Sequence, residues 1–193
     1  MPDINAVAVF CGSSPGHSPV FRQAAASLGT ALAQAGMRLV YGGGHVGLMG
    51  TVADAAVTAG GRVIGVIPDF LTRRERAHAG IEELIVTDSM HSRKRRMFDL
   101  SDAFVSFPGG LGTLDETFEI LTWRQLQLHN KPIVICDIEG SARPLLAAID
   151  ATIGAGFAKP DIRNLYDVVD CVPALMRRLQ QVTVAPGGAG ELI

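Results

Sequence analysis

The residues best suited to chemistry form one run, Pro108-Gly109-Gly110-Leu111-Gly112-Thr113-Leu114-Asp115-Glu116, directly after the apolar stretch Ala103-Phe104-Val105-Ser106-Phe107. It reads as strand, glycine turn and then a helix that starts near Thr113. Glycines let the backbone turn tightly and bring its N–H groups against a ligand, and the positive end of the helix dipole points at the same place. An anion is implied, a phosphate first of all. Glu116, in the first turn of that helix, puts a carboxylate beside whatever organic group the phosphate carries. Thr113-Leu114-Asp115-Glu116 also has the spacing of a capping box, in which the two side chains satisfy free N–H groups at a helix start. Spacing alone leaves both readings open.

Two other glycine turns follow strand-like runs, Cys11-Gly12-Ser13-Ser14 and Gly42-Gly43-Gly44-His45-Val46-Gly47. Gly42, Gly44 and Gly47 satisfy the dinucleotide fingerprint, and Asp69 lies far enough downstream to meet a ribose hydroxyl. That fingerprint normally follows the first strand of its unit, whereas here it follows the second. Two phosphate-type turns and a carboxylate favour a mononucleotide that is acted upon, with a held dinucleotide as the alternative. In Met90-His91-Ser92-Arg93-Lys94-Arg95-Arg96, Arg95 and Arg96 read as a solvated basic face. Arg93 and Lys94 lie at the sheet edge where the glycine turns open, and an arginine there can grip a phosphate or sugar oxygen bidentately.

The elements that position these residues alternate. Strand-like runs cover Ala6–Phe10, Arg38–Tyr41, Val63–Ile67, Leu84–Thr87, Ala103–Phe107 and Ile133–Cys136, most too uniformly apolar to have a wet face. Helical patterns cover Val20–Ala35, Leu48–Thr58 and Leu114–Leu128, with another from Pro144 to about Ile153 and a last one over Ala174–Leu179. The expected fold is α/β, a doubly wound, mainly parallel open sheet of Rossmann-like type with helices on both faces. One nucleotide-binding domain is expected over residues 1–181. The tail 182–193, with Pro186-Gly187-Gly188-Ala189-Gly190, is too glycine-rich to fold alone and is expected to be disordered.

Composition narrows the function. The 193 residues are 48% hydrophobic and carry a net charge of −2, so the chain lacks the basic field that binds nucleic acid without regard to sequence. Cys11, Cys136 and Cys171 are odd in number and widely spaced, which argues against a disulfide framework or structural zinc and for a reducing cytoplasm. The five histidines show no i, i+4 pairing, and no metal site is expected. The N-terminus has no signal-peptide pattern, and no stretch approaches the ~18 apolar residues of a membrane span. Only Lys94, Lys131 and Lys159 are available for lysine chemistry.

Met90-His91-x-Arg93-Lys94 followed by Pro108-Gly109-Gly110-x-Gly112-Thr113-x-x-Glu116 resembles the LOG (Lonely Guy) family of cytokinin riboside 5′-monophosphate phosphoribohydrolases. The resemblance extends through Val9–Ser14, Tyr41–Gly44, Gly47–Gly50, Val63–Pro68 and Leu121–Trp123, and spans about residues 6 to 158. It implies hydrolysis of the N-glycosidic bond of a nucleoside 5′-monophosphate, without cofactor or metal, by a homodimer. The family's catalytic pair falls on Arg93 and Glu116. Its substrate contacts fall on Glu75, Lys94, the turn residues Gly109, Gly110, Leu111, Gly112, Thr113, Leu114 and Asp115, and Thr122; Gly43 and Gly44 join them as the second glycine turn. Glu75, between Arg74 and Arg76, reads equally as a surface ion pair.

Cleaving a ribosyl C–N bond passes through an oxocarbenium-like sugar, so a carboxylate near the anomeric carbon can stabilise positive charge and orient the attacking water. That role suits Glu116. Arg93 can relieve charge on the departing base or anchor the phosphate. Met90, Phe70 and Leu71 are candidate walls for a base. A non-catalytic nucleotide carrier is the alternative function, and a lysine decarboxylase would need a Schiff base for which only Lys94 lies near the glycine turn.

Overall fold

The computed structural model describes residues 4–72 and 77–181, so Glu75 and the segment 182–193 lie outside the described residues. Seven strands form one parallel sheet: β1 (Ala6–Phe10), β2 (Arg38–Tyr41), β3 (Val63–Pro68), β4 (Glu83–Thr87), β5 (Ala103–Ser106), β6 (Ile133–Cys136) and β7 (Asp167–Val169). Their order is β4-β3-β2-β1-β5-β6-β7. The chain winds outward from β1 to β4, returns to lay β5 on the other side of β1, and winds outward again. The strand order therefore switches between β1 and β5, where the loops leave in opposite directions and open a crevice.

Alternation along each strand supplies two cores. Val7 and Val9 face one layer and Ala6, Ala8 and Phe10 the other. The first layer is closed by α1 (Pro19–Gln34), α2 (Gly47–Thr58) and α6 (Val172–Gln181), the second by α3 (Met90–Asp99), α4 (Leu111–Gln125) and α5 (Arg143–Gly154). The expected doubly wound architecture is present. Two strands differ from expectation. β7 has three partly exposed residues and no apolar run to announce it, and β4 is an edge strand, exposed at Glu83 and Val86 rather than uniformly buried.

The two helices that matter most for chemistry are fixed at their starts and against each other. Ser89 caps α3 by accepting from the Ser92 amide, and Ser92 returns a bond to the Ser89 amide. Asp88 accepts from the Ser92 hydroxyl, and that bond holds its carboxyl below the ordinary carboxylate range. This start sets the register that turns Arg93 inward. Further along, Phe98 of α3 stacks on Phe104 of β5 and meets Trp123 of α4 edge-on, with ring centroids 5.5 and 5.2 Å apart. The Lys131 ammonium lies 3.9 Å from the centre of the Phe98 ring and donates to the Phe98 carbonyl at 2.7 Å.

His129 closes this junction. Its Nε2 donates to the Ile120 carbonyl at 2.9 Å and its Nδ1 accepts from the Lys131 amide at 3.1 Å, so the ring is neutral. Burial holds its pKa below the ordinary 6.5. A depressed histidine pKa means that the unfolded chain takes up the proton first, so this contribution to stability is complete above about pH 6.5 and lost as the pH falls. Urea unfolding of the wild type should weaken from about pH 7.5 to about pH 5.5 by more than that of His129→Asn; equal pH dependence in the two proteins would remove His129 from this role.

Candidate active site

A cavity of about 130 Å³ opens at the C-terminal ends of β1, β2 and β5, the strand-order switch, with Cys11, Gly12, Gly42, Arg93, Thr113 and Glu116 among its walls. Arg93 is 6% exposed despite its charge. Its Nε donates to the Val66 carbonyl at 3.0 Å and its Nη2 to the Gly42 carbonyl at 3.1 Å, so the guanidinium is pinned across the ends of β3 and β2. Nη1 is left facing Glu116, with 3.8 Å to Oε1. Glu116 is 7% exposed, so two opposite charges from α3 and α4 meet where water is largely excluded.

Glycines make that approach possible. A Cβ on Gly42 would fall 2.1 Å from Arg93 Nη2, and one on Gly109 would fall 2.1 Å from Thr113 Oγ1. The expected helix start needs correction. α4 begins at Leu111, not near Thr113, and its N-cap is Gly110, which has no side chain to cap with. Thr113 is the third helical residue and Glu116 lies in the second turn, so the capping box does not form; both are buried against the cavity instead. The glycine turn delivers the helix two residues early, leaving its positive end open at the cavity mouth.

The N-terminus of α2 is different. Its Leu48 and Met49 amides donate to the Gly12 carbonyl at 2.9 and 3.2 Å. The Gly42-x-Gly44-x-x-Gly47 turn therefore spends its helix N-terminus on the loop after β1, which removes the basis of the dinucleotide reading.

The remaining predicted residues divide. Gly110, Leu111 and Gly112 line the cavity. Lys94 and Asp115 lie beside it: Lys94 Nζ contacts Asp115 at 3.2 Å and Glu119 at 3.0 Å. Burial works against the ammonium, but the two carboxylates outweigh it and hold the Lys94 pKa above the ordinary lysine value. Leu114 packs partly into the second core. Gly43 and Gly44 do not face the cavity; Gly43 packs on Ile67 and Leu84, and Gly44 pairs with Ala77. Thr122 is exposed and donates to the Phe118 carbonyl, about 9 Å along the helix from Glu116. Arg95 forms an exposed pair with Asp99, as a solvated face should.

Sequence reasoning missed Gly42 and Cys11 as wall residues, although both stand in glycine turns that it singled out. Burial, and after it the Glu116 charge, pushes the Cys11 thiol far above the ordinary range, so Cys11 is a neutral wall and no nucleophile.

Known proteins resemble this chain in sequence and in fold. The profile of a family described as "Possible lysine decarboxylase" matches residues 49–179. A cytokinin riboside 5′-monophosphate phosphoribohydrolase of Rhodococcoides fascians is 48% identical over 164 residues, covering 84% of this chain and 83% of its own. The chain belongs to the cytokinin riboside 5′-monophosphate phosphoribohydrolase family. An Arabidopsis thaliana phosphoribohydrolase of that name is 41% identical, covering 90% of this chain and 82% of its own, and a probable one from Oryza sativa subsp. japonica is 41% identical over 96% and 86%. Among solved structures, the molybdenum cofactor carrier protein of Chlamydomonas reinhardtii superposes with a TM-score of 0.70 at 23% identity over 91% of this chain and 96% of its own, a likeness of fold.

In this phosphoribohydrolase-family site, Gly42→Ala should push the guanidinium off the Gly42 carbonyl. We expect turnover of a nucleoside monophosphate to fall about a hundredfold, with an unchanged far-ultraviolet circular dichroism spectrum; wild-type turnover would show that the Gly42 contact is dispensable.

Proposed function

We propose that this chain hydrolyses the N-glycosidic bond of adenine-type nucleoside 5′-monophosphates to free base and ribose 5-phosphate. The observation that carries this reading is the convergence of buried Arg93 and Glu116 at 3.8 Å beside a helix N-terminus that no side chain caps. The 5′-phosphate sits at the start of α4, over Gly110, Leu111 and Gly112. The cavity is smaller than the ~300 Å³ at which whole-ligand pockets begin, so it takes the ribose and leaves base and phosphate at its mouth. Glu116 then faces the anomeric carbon. Its carboxylate stabilises the oxocarbenium-like sugar and orients water; the water oxygen bonds to C1′, the C1′–N bond breaks with its electron pair going to the base, and the water proton leaves to solvent or base. Arg93 cannot act as a proton donor, and its part is electrostatic.

Lys94 serves this site by fixing Asp115 and Glu119 on α4. A Schiff-base lysine needs a lowered pKa, and the two carboxylates push that of Lys94 the other way, against decarboxylase chemistry. Free Cys11, Cys136 and Cys171 suit a reducing compartment such as the cytoplasm, with burial pushing the Cys136 thiol up to about 12. No helix of the described residues is long and apolar enough to cross a membrane.

A homodimer is part of the same reading. Leu111, Phe118 and Leu126 are 85%, 40% and 62% exposed and recur at intervals of seven and eight along α4 and its C-cap, a one-sided apolar stripe. Light scattering should give twice the mass of 20.4 kDa, and Phe118→Asp should shift it toward the monomer; a monomeric wild type would overturn this.

The activity is tested by incubating the protein with AMP and, separately, isopentenyladenosine monophosphate, and separating products chromatographically. Free base should appear, preferentially from the substrate whose base fits, and Glu116→Gln should lower the rate by about 10²-fold or more. Nucleotide binding without release of base would instead mark a carrier.

A further inference from the structure

Away from the cavity, Asp54 on α2 accepts from two imidazoles that come from separate parts of the chain. His78 Nε2 lies 3.0 Å from Oδ1 and His45 Nε2 lies 3.3 Å from Oδ2, and the two rings pack at 4.2 Å between centroids. Within the described residues the three ligand-type atoms all lie within 4.8 Å of one another, a two-histidine, one-carboxylate set of the kind that holds zinc or iron. The far side of His78 decides between metal site and hydrogen-bonded clamp. The Gly80 amide donates to His78 Nδ1 at 3.0 Å. A backbone N–H can only donate, so Nδ1 bears no proton and the neutral ring carries it on Nε2, aimed at Asp54. A metal-bound histidine has the reverse arrangement, with its outer nitrogen donating to an acceptor.

The clamp closes on the turn that serves Arg93. His45 directly follows Gly42-Gly43-Gly44. His78 is 4% exposed, and its amide donates to the Gly43 carbonyl at 3.0 Å, while the neighbouring Ala77 pairs with Gly44 in an antiparallel bridge. Gly43 has φ +76°, a conformation that tethering at both flanks keeps in place. One residue earlier, the Gly42 carbonyl accepts from Arg93 Nη2.

We propose that Asp54 is a positioning residue for the hydrolysis: through His78 and His45 it holds the glycine turn that presents the Gly42 carbonyl to Arg93. This rests on the reading of Arg93 as part of the reaction machinery. Asp54 touches no reacting atom, so its loss shows in turnover more than in substrate affinity.

The test is a double-mutant cycle on the full chain, with kcat and KM for the nucleoside monophosphate that the protein cleaves best. Asp54→Ala should lower kcat about tenfold with KM changed less than about twofold. Asp54→Asn, whose oxygen still accepts from His78, should recover most of the loss; if Asp54→Ala does not fold, His45→Ala takes its place in the cycle with a smaller expected drop. In an Arg93→Lys background, which no longer uses the Gly42 carbonyl in the same way, Asp54→Ala should have no further effect. A wild-type kcat for Asp54→Ala, or a loss that multiplies fully with that of Arg93→Lys, overturns the proposal. Undiminished activity of Arg93→Lys would overturn the reading of Arg93 and this proposal with it. One equivalent of zinc bound by wild type and lost in Asp54→Ala would overturn the clamp in favour of a metal site.

Discussion

Keeping a guanidinium almost dry at the end of a parallel sheet is the constraint on which the rest of this site depends. Burying an ion without partners costs of the order of several kcal/mol, and only well-aimed hydrogen bonds and an opposite charge offset it. Here the offset comes from three elements at once: the carbonyl of Gly42 beyond β2, the carbonyl of Val66 within β3, and the Glu116 carboxylate of α4. Each demands something local. The first needs a residue without a side chain at 42, the second needs strand backbone whose carbonyl still points outward, and the third needs α4 to start early enough to swing its second turn over the cavity.

The two helix N-termini near the cavity are handled in opposite ways. That of α2 is consumed by the Gly12 carbonyl, which ties the loop after β1 to the loop after β2. That of α4 has Gly110 as its N-cap and is capped by no side chain. The open start of α4 therefore lies one turn before Glu116, that helix's member of the buried Arg93–Glu116 pair. In the proposed function, that spacing lets one helix hold the phosphate at its start and face the sugar with its second turn.

Stability and site share the α3–α4 junction. Phe98, Phe104, Trp123 and His129 pack the helices together below the cavity, and Lys94 bridges Asp115 and Glu119 above them. The upper bridge is between partly exposed groups, so its contribution is modest and its effect is on orientation. The lower aromatic junction is dry and sets the spacing. Arg93 and Glu116 thus approach within 3.8 Å because of residues that touch neither of them.

The sequence by itself determined the alternation of strands and helices, because buried parallel strands must be apolar on both faces and glycines must follow them where the chain turns. It also singled out Arg93 and Glu116 as candidates for the chemistry, since each stands in a short motif beside a glycine turn that follows a strand. Tertiary structure decided the rest. Whether Thr113 and Glu116 cap a helix or face a cavity depends on where α4 begins, and a shift of two residues reverses the answer. β7 forms only because β6 offers an edge, so no apolar run foretold it. His45, Asp54 and His78 meet although 33 residues separate the outer two; spacing along one helix could not reveal a cluster built from a turn, a helix and a strand connection. Local pattern fixes what each segment becomes, whereas contacts between distant segments depend on the packing that brings them together.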